Sequence, residues 1–475
     1  MTDRPGLLSL PDPVRLANRS DERKKLARGF LGPEPSFPGT EGRIYPGVID
    51  AYHGETGLPI DAAATAALNA AWLELTSREL PDEYRDGRLY DKRQPPILRK
   101  LAVDTLFRRI AEPGAGLAGE RVPVEEVIVC PYSSTVLLEE AVATIARPGG
   151  VLVCPEGYYK SASVHVAKYG LRMVSSPATA DDTFKIDPKT LRLCLEEHAR
   201  QGNLCGVMLT LPGNPVVGDY TVDELTEIGR VLVEADVPVI CDMSFDLLVE
   251  NHIPMAAITV PTEHGPVRLH DRVLTITGNS KAYNAFGPCK LGAATTGNAV
   301  WLDTVRDRLR VAFQRETTHL VRAVLEHTSD GYLVSNRLLL RDRMATALSL
   351  LEAVNIRHGA KLLRPLGSSD GMFLTVEFDA DLMEQADVHT GSELEDLLLT
   401  VAGIDTVGLD RTGSPRLALR FNVVAPRMAA GQEQPHLLAE LFDRLDHLLT
   451  RLRSGMTYPN ALLERAIPEL ARVGS

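Results

Sequence analysis

Three polar residues stand where apolar runs stop, and their side chains are an amide, a carboxylate and an amine. "MLTLPGNP" ends on Asn214-Pro215, "PVICD" ends on Asp242, and Val273 to Thr277 leads into Gly278-Asn279-Ser280-Lys281. Each run is short and rich in β-branched and aliphatic residues, so each reads as a strand that delivers its polar residue to a strand end. In an open α/β sheet, ligands bind outside the carboxyl ends of the strands. A lysine there can form a Schiff base with an aldehyde, a carboxylate can hold a pyridine nitrogen protonated, and an asparagine can hydrogen-bond a ring hydroxyl. Those are the demands of one cofactor, pyridoxal 5'-phosphate (PLP).

Two further strand ends add to the set. "CPYSSTVLLEEA" reads as strand, turn and helix, with Ser133, Ser134 and Thr135 at the helix start. Free backbone N–H groups and hydroxyls at such a terminus make a phosphate cradle. "CPEGYYKS" offers Tyr158 or Tyr159 as an aromatic plate against a heteroaromatic ring. Every one of these has a plainer reading. Ser and Thr cap helices everywhere, loop tyrosines pack on cores, Asn-Pro makes turns, Asp242 can cap the next segment, and Lys281 can be a solvated loop lysine. Their succession along one sheet is what favours the joint reading.

The elements that must carry these residues follow from the pattern of the whole chain. Strand-like runs at Val127–Cys130, Val151–Cys154, Arg172–Ser175, Gly206–Leu211, Val237–Cys241, Val273–Thr277 and Leu291–Thr296 alternate with amphipathic helices, which predicts a mostly parallel, seven-stranded sheet covered on both faces. Helices are expected from about residue 62, from Pro96 to Ala111, from Trp301 to His327, and from Asn336 to Ala360. Met372–Phe378 and Arg416–Val424 alternate like half-buried strands, and Gln434–Arg453 reads as a closing helix. The division expected is an N-terminal arm and substrate loop (1–61), a large PLP-binding domain (62–330) and a smaller α+β domain (331–475).

Composition narrows the class. The 475 residues, 44% hydrophobic and 24% charged, are those of an ordinary globular chain of two or three domains. A net charge of −12 argues against a nucleic-acid binder, and no apolar run approaches a membrane span. The N-terminus is too polar for a secretory signal. Six cysteines without a C-x-x-C pair read as small buried hydrophobes in a reducing cytoplasm, and the twelve histidines show no zinc spacing, so no metal is expected. Gly114-Ala-Gly116-Leu-Ala-Gly119 spells a dinucleotide fingerprint, but a helix precedes it and a strand follows, the reverse of what that mechanism needs.

Over nearly its whole length the chain resembles the class I/II aminotransferase family of fold-type I PLP enzymes. The resemblance implies that Ser280-Lys281 is the Schiff-base motif, Asp242 the pyridine partner, Asn214 the ligand of the ring hydroxyl, and Ser133-Ser134-Thr135 the phosphate turn. "RLYDKRQPPILRKLA" is similar to the segment whose tyrosine, here Tyr90, crosses a homodimer to the partner's phosphate. "ALRFNVVAP" looks like the strand whose arginine grips the substrate carboxylate, which implies Arg420, with Arg416 four residues earlier as competitor. "YHGETGLP" is similar to the substrate-lining loop, with Gly54 the contact. Two positions depart from the pattern at the cofactor. Phe245 stands where the family has a tyrosine, removing one donor to the ring hydroxyl, and Lys290 stands in place of an arginine, a point charge instead of a fork.

The activity implied starts with a free α-amino acid, its carboxylate on Arg420 and its Cα–H bond broken by Lys281 while Asp242 keeps the ring an electron sink. The tyrosine pair of "PEGYYKSA" is closest to the aminocyclopropane-carboxylate synthase branch. With Phe245 and Lys290 it favours γ-elimination, replacement or C–C bond formation on an S-adenosylmethionine-like substrate. Ordinary transamination between an amino acid and a 2-oxo acid is the alternative. A PLP-binding regulator without catalysis is the minor one, since the first 45 residues are too short and proline-rich for a helix-turn-helix.

Overall fold

The computed structural model describes Glu22, Lys24 and Lys25 together with residues 48–77, 94–111, 121–424 and 437–464. Tyr90 and the glycine run at 114–119 lie outside the described residues. Seven strands form the main sheet: β1 (Val127–Pro131), β2 (Val151–Pro155), β3 (Arg172–Ser176), β4 (Leu204–Thr210), β5 (Val239–Asp242), β6 (Val273–Gly278) and β7 (Leu291–Thr295). Their order is β1-β7-β6-β5-β4-β2-β3. Only β7 runs antiparallel, to β1 on one side and β6 on the other. The fold is therefore α/β with a mostly parallel seven-stranded sheet.

The continuous apolar runs are explained by burial on both faces. Leu152, Met208, Ile240 and Leu274 enter one core cluster, while Val151, Val153, Val207, Leu209, Val239, Cys241 and Val273 enter the other. On the first side lies α2 (Ser134–Ile145), and on the second lies α3 (Val222–Ala235), through Leu137, Leu138, Leu225 and Ile228. Helix α1 (Ala62–Ser77) precedes them, started by Asp61, whose Oδ1 accepts from Ala63 N at 2.7 Å. All six cysteines are free and buried. Among the described residues no helix is long and apolar enough to cross a membrane.

From Asp330 onward a 29-residue helix, Asp330–His358, leads into a second, antiparallel sheet. Its strands are β8 (Leu363–Leu366), β9 (Phe373–Phe378), β10 (Val407–Gly408) and β11 (Ala418–Asn422), in the order β8-β9-β11-β10. Arg420 on β11 pairs with both Thr375 and Val407. The largest core cluster mixes residues from both parts, from Ile49 and Leu98 to Leu448 and Leu462. Ile49–Asp50 pairs in parallel with Ile404–Asp405 as a separate two-stranded sheet, tying the loop that follows Asp50 to the segment just before β10.

Several expected elements differ, among them the long helix expected over 336–360, which spans Asp330–His358. The helix expected over 301–327 is two, Ala299–Arg308 and Arg315–His327, because Leu309 and Phe313 turn into the core between them. The helix expected over 96–111 is regular only at Pro96–Leu101, then widens to a π turn over Ala102–Leu106 and tightens over Arg108–Ala111. The strand expected from Arg416 starts at Ala418.

Candidate active site

The carboxyl ends of β4, β5 and β6 open into a cavity of about 380 Å³. Asp242 closes β5 and lies on its wall, registered between Thr210 of β4 and Ile276 of β6. Its Oδ1 accepts from Ser244 N at 3.0 Å and Ser244 Oγ at 2.6 Å. Complete burial pushes its pKa up, against the pull of those donors and of Lys281. A carboxylate in that position gains from a cationic N–H opposite it.

Lys281 is held by the loop that leaves β6. Asn279, fully buried, accepts from Leu291 N at 2.8 Å and donates from Nδ2 to Cys289 O at 2.9 Å, so the stretch 280–290 is cross-braced at its neck. Lys281 Nζ donates to Gly54 O at 2.7 Å and lies 5.6 Å from the centre of the Phe245 ring. Burial pushes its pKa down, Glu55 opposes that, and Lys290 adds to it. Phe245 also lines the cavity, and packs edge-on against Phe373 at 5.1 Å.

Asn214 is 3% exposed on the loop after β4. That loop folds tightly because residue 213 is glycine: a Cβ there would lie 1.6 Å from Val216 O. Arg420 Nη1 donates to Asn214 Oδ1 at 2.7 Å, and Nη2 donates to Tyr52 O. The guanidinium lies 4.3 Å from the Phe373 ring centre, and full burial pulls its pKa down to about 10, so it stays charged near neutrality. Asn422, two residues on, donates to His53 O at 2.7 Å and Glu55 O at 2.8 Å. One strand thus supplies the arginine and pins the Tyr52–Glu55 loop over the cavity.

Helix α2 begins at the same cavity. Ser133 is its N-cap, its Oγ accepting from Thr135 N at 2.9 Å, and Ser133, Ser134 and Thr135 all line the cavity, as do Ser280 and Lys290. Lys290 Nζ lies 3.9 Å from Glu55 Oε1. Strand β7 approaches this turn so closely that a Cβ at Gly292 would sit 2.5 Å from Ser133 O and 2.7 Å from Ser134 N. Gly292→Ala is therefore expected to displace the turn, weakening PLP affinity on the order of tenfold and costing about 1–3 kcal/mol of stability. Equilibrium dialysis and thermal melts of the apo protein would read the two effects.

Two expected residues lie outside this cavity. Tyr158 is buried in the core with its ring against Gly413, and only Tyr159 faces the cavity, so the aromatic plate comes down to one tyrosine. Adjacent residues of an extended segment point opposite ways, which makes the two mutually exclusive. Arg416 precedes β11 and turns away: Nη2 donates to Thr179 O at 2.7 Å, Nε lies 4.0 Å from Glu156 Oε1, and the guanidinium stacks 4.9 Å from the Phe184 ring centre. Tyr52, His53, Tyr132, Lys160 and Ser244 also line the cavity and were not anticipated.

These residues suit PLP: an amine, a buried acid, an amide and a hydroxyl-rich helix start all line one cavity. The family model "Aminotransferase class I and II" matches residues 106–425. The chain belongs to that family, whose enzymes depend on PLP. It is 28% identical over 286 residues to a protein named as a probable N-succinyldiaminopimelate aminotransferase of Mycobacterium tuberculosis, covering 56% of this chain and 66% of that one. An aspartate aminotransferase of Bacillus sp. is 22% identical over 273 residues, covering 57% and 65%. The matches thus span just under two thirds of these relatives' length. Among solved structures, the N-succinyldiaminopimelate aminotransferase of M. tuberculosis superposes with a TM-score of 0.67 at 20% identity, covering 91% of this chain and 99% of that one. The aspartate aminotransferase of Thermus thermophilus with maleate gives 0.65 at 17%, covering 92% and 96%.

These findings overturn one expectation. The relatives found are aminotransferases, which supports transamination rather than elimination or C–C bond formation on S-adenosylmethionine, and the lyase reading falls with it. The physical basis of that expectation is also thinner than the sequence suggested, since half of its tyrosine pair is in the core.

Proposed function

We propose that the protein is an aminotransferase that exchanges the amino group of a free α-amino acid with a 2-oxo acid. The observation that carries this reading is the single cavity onto which Lys281, Asp242, Asn214, Arg420 and the Ser133–Thr135 turn converge. PLP, when bound, supplies an aldehyde that takes up the amino group and a ring that withdraws electrons from Cα.

The rest falls to the chain. Ser133, Ser134, Thr135, Ser280 and Lys290 would hold the phosphate, Tyr159 would face the ring, and Asn214 would donate Nδ2 to the ring hydroxyl, its Oδ1 being engaged by Arg420. Asp242 keeps the ring nitrogen protonated. Arg420 grips the α-carboxylate and so fixes which bond at Cα stands perpendicular to the ring. Lys281 would take the Cα proton on Nζ. Its lowered pKa fits that task, because a general base must be neutral near working pH. Phe245 offers the ring hydroxyl no donor, and Gly54 lies over Lys281.

The working unit under this reading is a cytoplasmic homodimer in which Tyr90 reaches the partner's phosphate. A light-scattering mass of one chain with full activity counts against that. For the activity itself, purified protein is mixed with a panel of amino acids and its absorbance recorded. Conversion of the aldehyde band to the pyridoxamine band with release of one equivalent of oxo acid is expected. Turnover without oxo-acid release would reject transamination.

A further inference from the structure

We propose that Lys160 binds a second carboxylate, on the side chain of the amino acid, and so selects dicarboxylic substrates. The inference rests on the aminotransferase reading only for the placement of the first carboxylate at Arg420.

The argument is an inventory of charge. Four cationic side chains line the cavity: Lys281, Lys290, Arg420 and Lys160. Lys281 is committed to the coenzyme, Lys290 faces Glu55 beside the helix start, and Arg420 suits one carboxylate. Lys160 remains. It follows Tyr159 directly, and its Nζ donates to Tyr52 Oη while lying 4.1 Å from the Tyr52 ring centre. Among the described residues no carboxylate comes within 4.0 Å of it.

The neighbouring acids are already used. Lys24 of the N-terminal arm lies 4.2 Å from the same tyrosine ring centre, with Asp405 at 2.7 Å and Glu395 at 3.3 Å. Arg411 takes Glu395 as well, at 3.4 Å. Lys160 therefore meets Tyr52 from the loop, Lys24 from the arm, Arg411 and Arg420 from the second sheet's side, and Glu395 as an opposing acid. Burial first, then the repulsion of Arg411, Arg420 and Lys24, brings its pKa down to about 7. An amine so placed gains when an anion arrives, because pairing restores its charge. Arg420 and Lys160 together then offer two cationic contacts to one small ligand.

The test compares two ligands that differ in one terminal carboxylate, glutarate and pentanoate, titrated calorimetrically into the PLP-loaded protein. Wild type is expected to bind glutarate at least tenfold more tightly near neutral pH. Lys160→Gln should weaken glutarate on the order of tenfold to a hundredfold and leave pentanoate unchanged. A second measurement needs no variant. Both ligands stay ionised between about pH 6.5 and about pH 8.5, whereas Lys160 loses its proton, so the glutarate preference should fall on the order of tenfold across that range. Binding should take up a proton at the upper end.

Equal weakening of both ligands in Lys160→Gln would assign Lys160 to supporting Tyr52 and overturn the proposal. So would a wild-type preference that is absent or flat with pH. Failure of the aminotransferase reading looks different, since no amino acid would then convert the coenzyme whatever the two ligands do. A protein that transaminates yet binds glutarate and pentanoate alike loses only the Lys160 subsite.

Discussion

Lys281→Ala is expected to fold, and to yield no coenzyme-bearing peptide when PLP is added, borohydride applied and the digest mapped by mass spectrometry. Wild type should give one such peptide, spanning Ser280-Lys281. The experiment has to discriminate, because three amines line the cavity and two have depressed pKa values. Lys160 is brought to about 7, and Lys281 is also lowered by burial. Position decides between them. Lys281 leaves β6 beside Asp242, is held by Gly54 O at 2.7 Å, and sits on a loop braced at Asn279. Lys160 follows β2 and is turned onto Tyr52. Removing the amine should also cut Cα–H exchange on the order of 10²–10⁴-fold, the range for a positioned acid–base group. The fold should tolerate the change, since a buried ammonium leaves with it. Label recovered on Lys160 or Lys290 instead would refute the assignment.

How much of this was legible in the sequence depends on the range of the interaction involved. Seven strands were readable because each is a local run, buried on two faces, and their ends located Asn214, Asp242 and Lys281 without any knowledge of pairing. Strand order was not readable, nor was the antiparallel β7, since both are set by crossovers. The break between Arg308 and Arg315 carries no glycine or proline, and packing of Leu309 and Phe313 overrides local propensity there.

The site shows the same limit. Lys160 reaches Tyr52 across 108 residues, Arg420 reaches Asn214 across 206, and Asn422 reaches His53 across 369. No periodicity reports such contacts. The arm's role was also opaque, because Lys24 acquires meaning only beside Asp405, 381 positions away. One miss had a usable signal. Pro415, just before Arg416, argues against a strand already running there, so Arg416 and Arg420 need not share a face.

Asp242→Asn is the substitution with the second largest effect, and the reason lies in what the amide cannot do. In the native site, burial pushes the carboxyl's pKa up, and the Ser244 donors and the charge of Lys281 oppose that. A protonated pyridine nitrogen would complete the balance, so that acid and ring would hold each other ionised. The asparagine keeps an oxygen for the two Ser244 donors at 3.0 and 2.6 Å and nearly the same volume. Its other atom is a donor, which pairs with an unprotonated nitrogen and leaves the ring a poorer electron sink. Asp242→Asn should therefore still be labelled by borohydride at Lys281, and its apo form should melt no lower than wild type, because a desolvated acid has been removed. Washout of deuterium into Cα of a bound amino acid should slow on the order of 10²–10⁴-fold. Exchange at the wild-type rate would show that the ring does not depend on this carboxylate, and the electron-sink role of Asp242 would have to be abandoned.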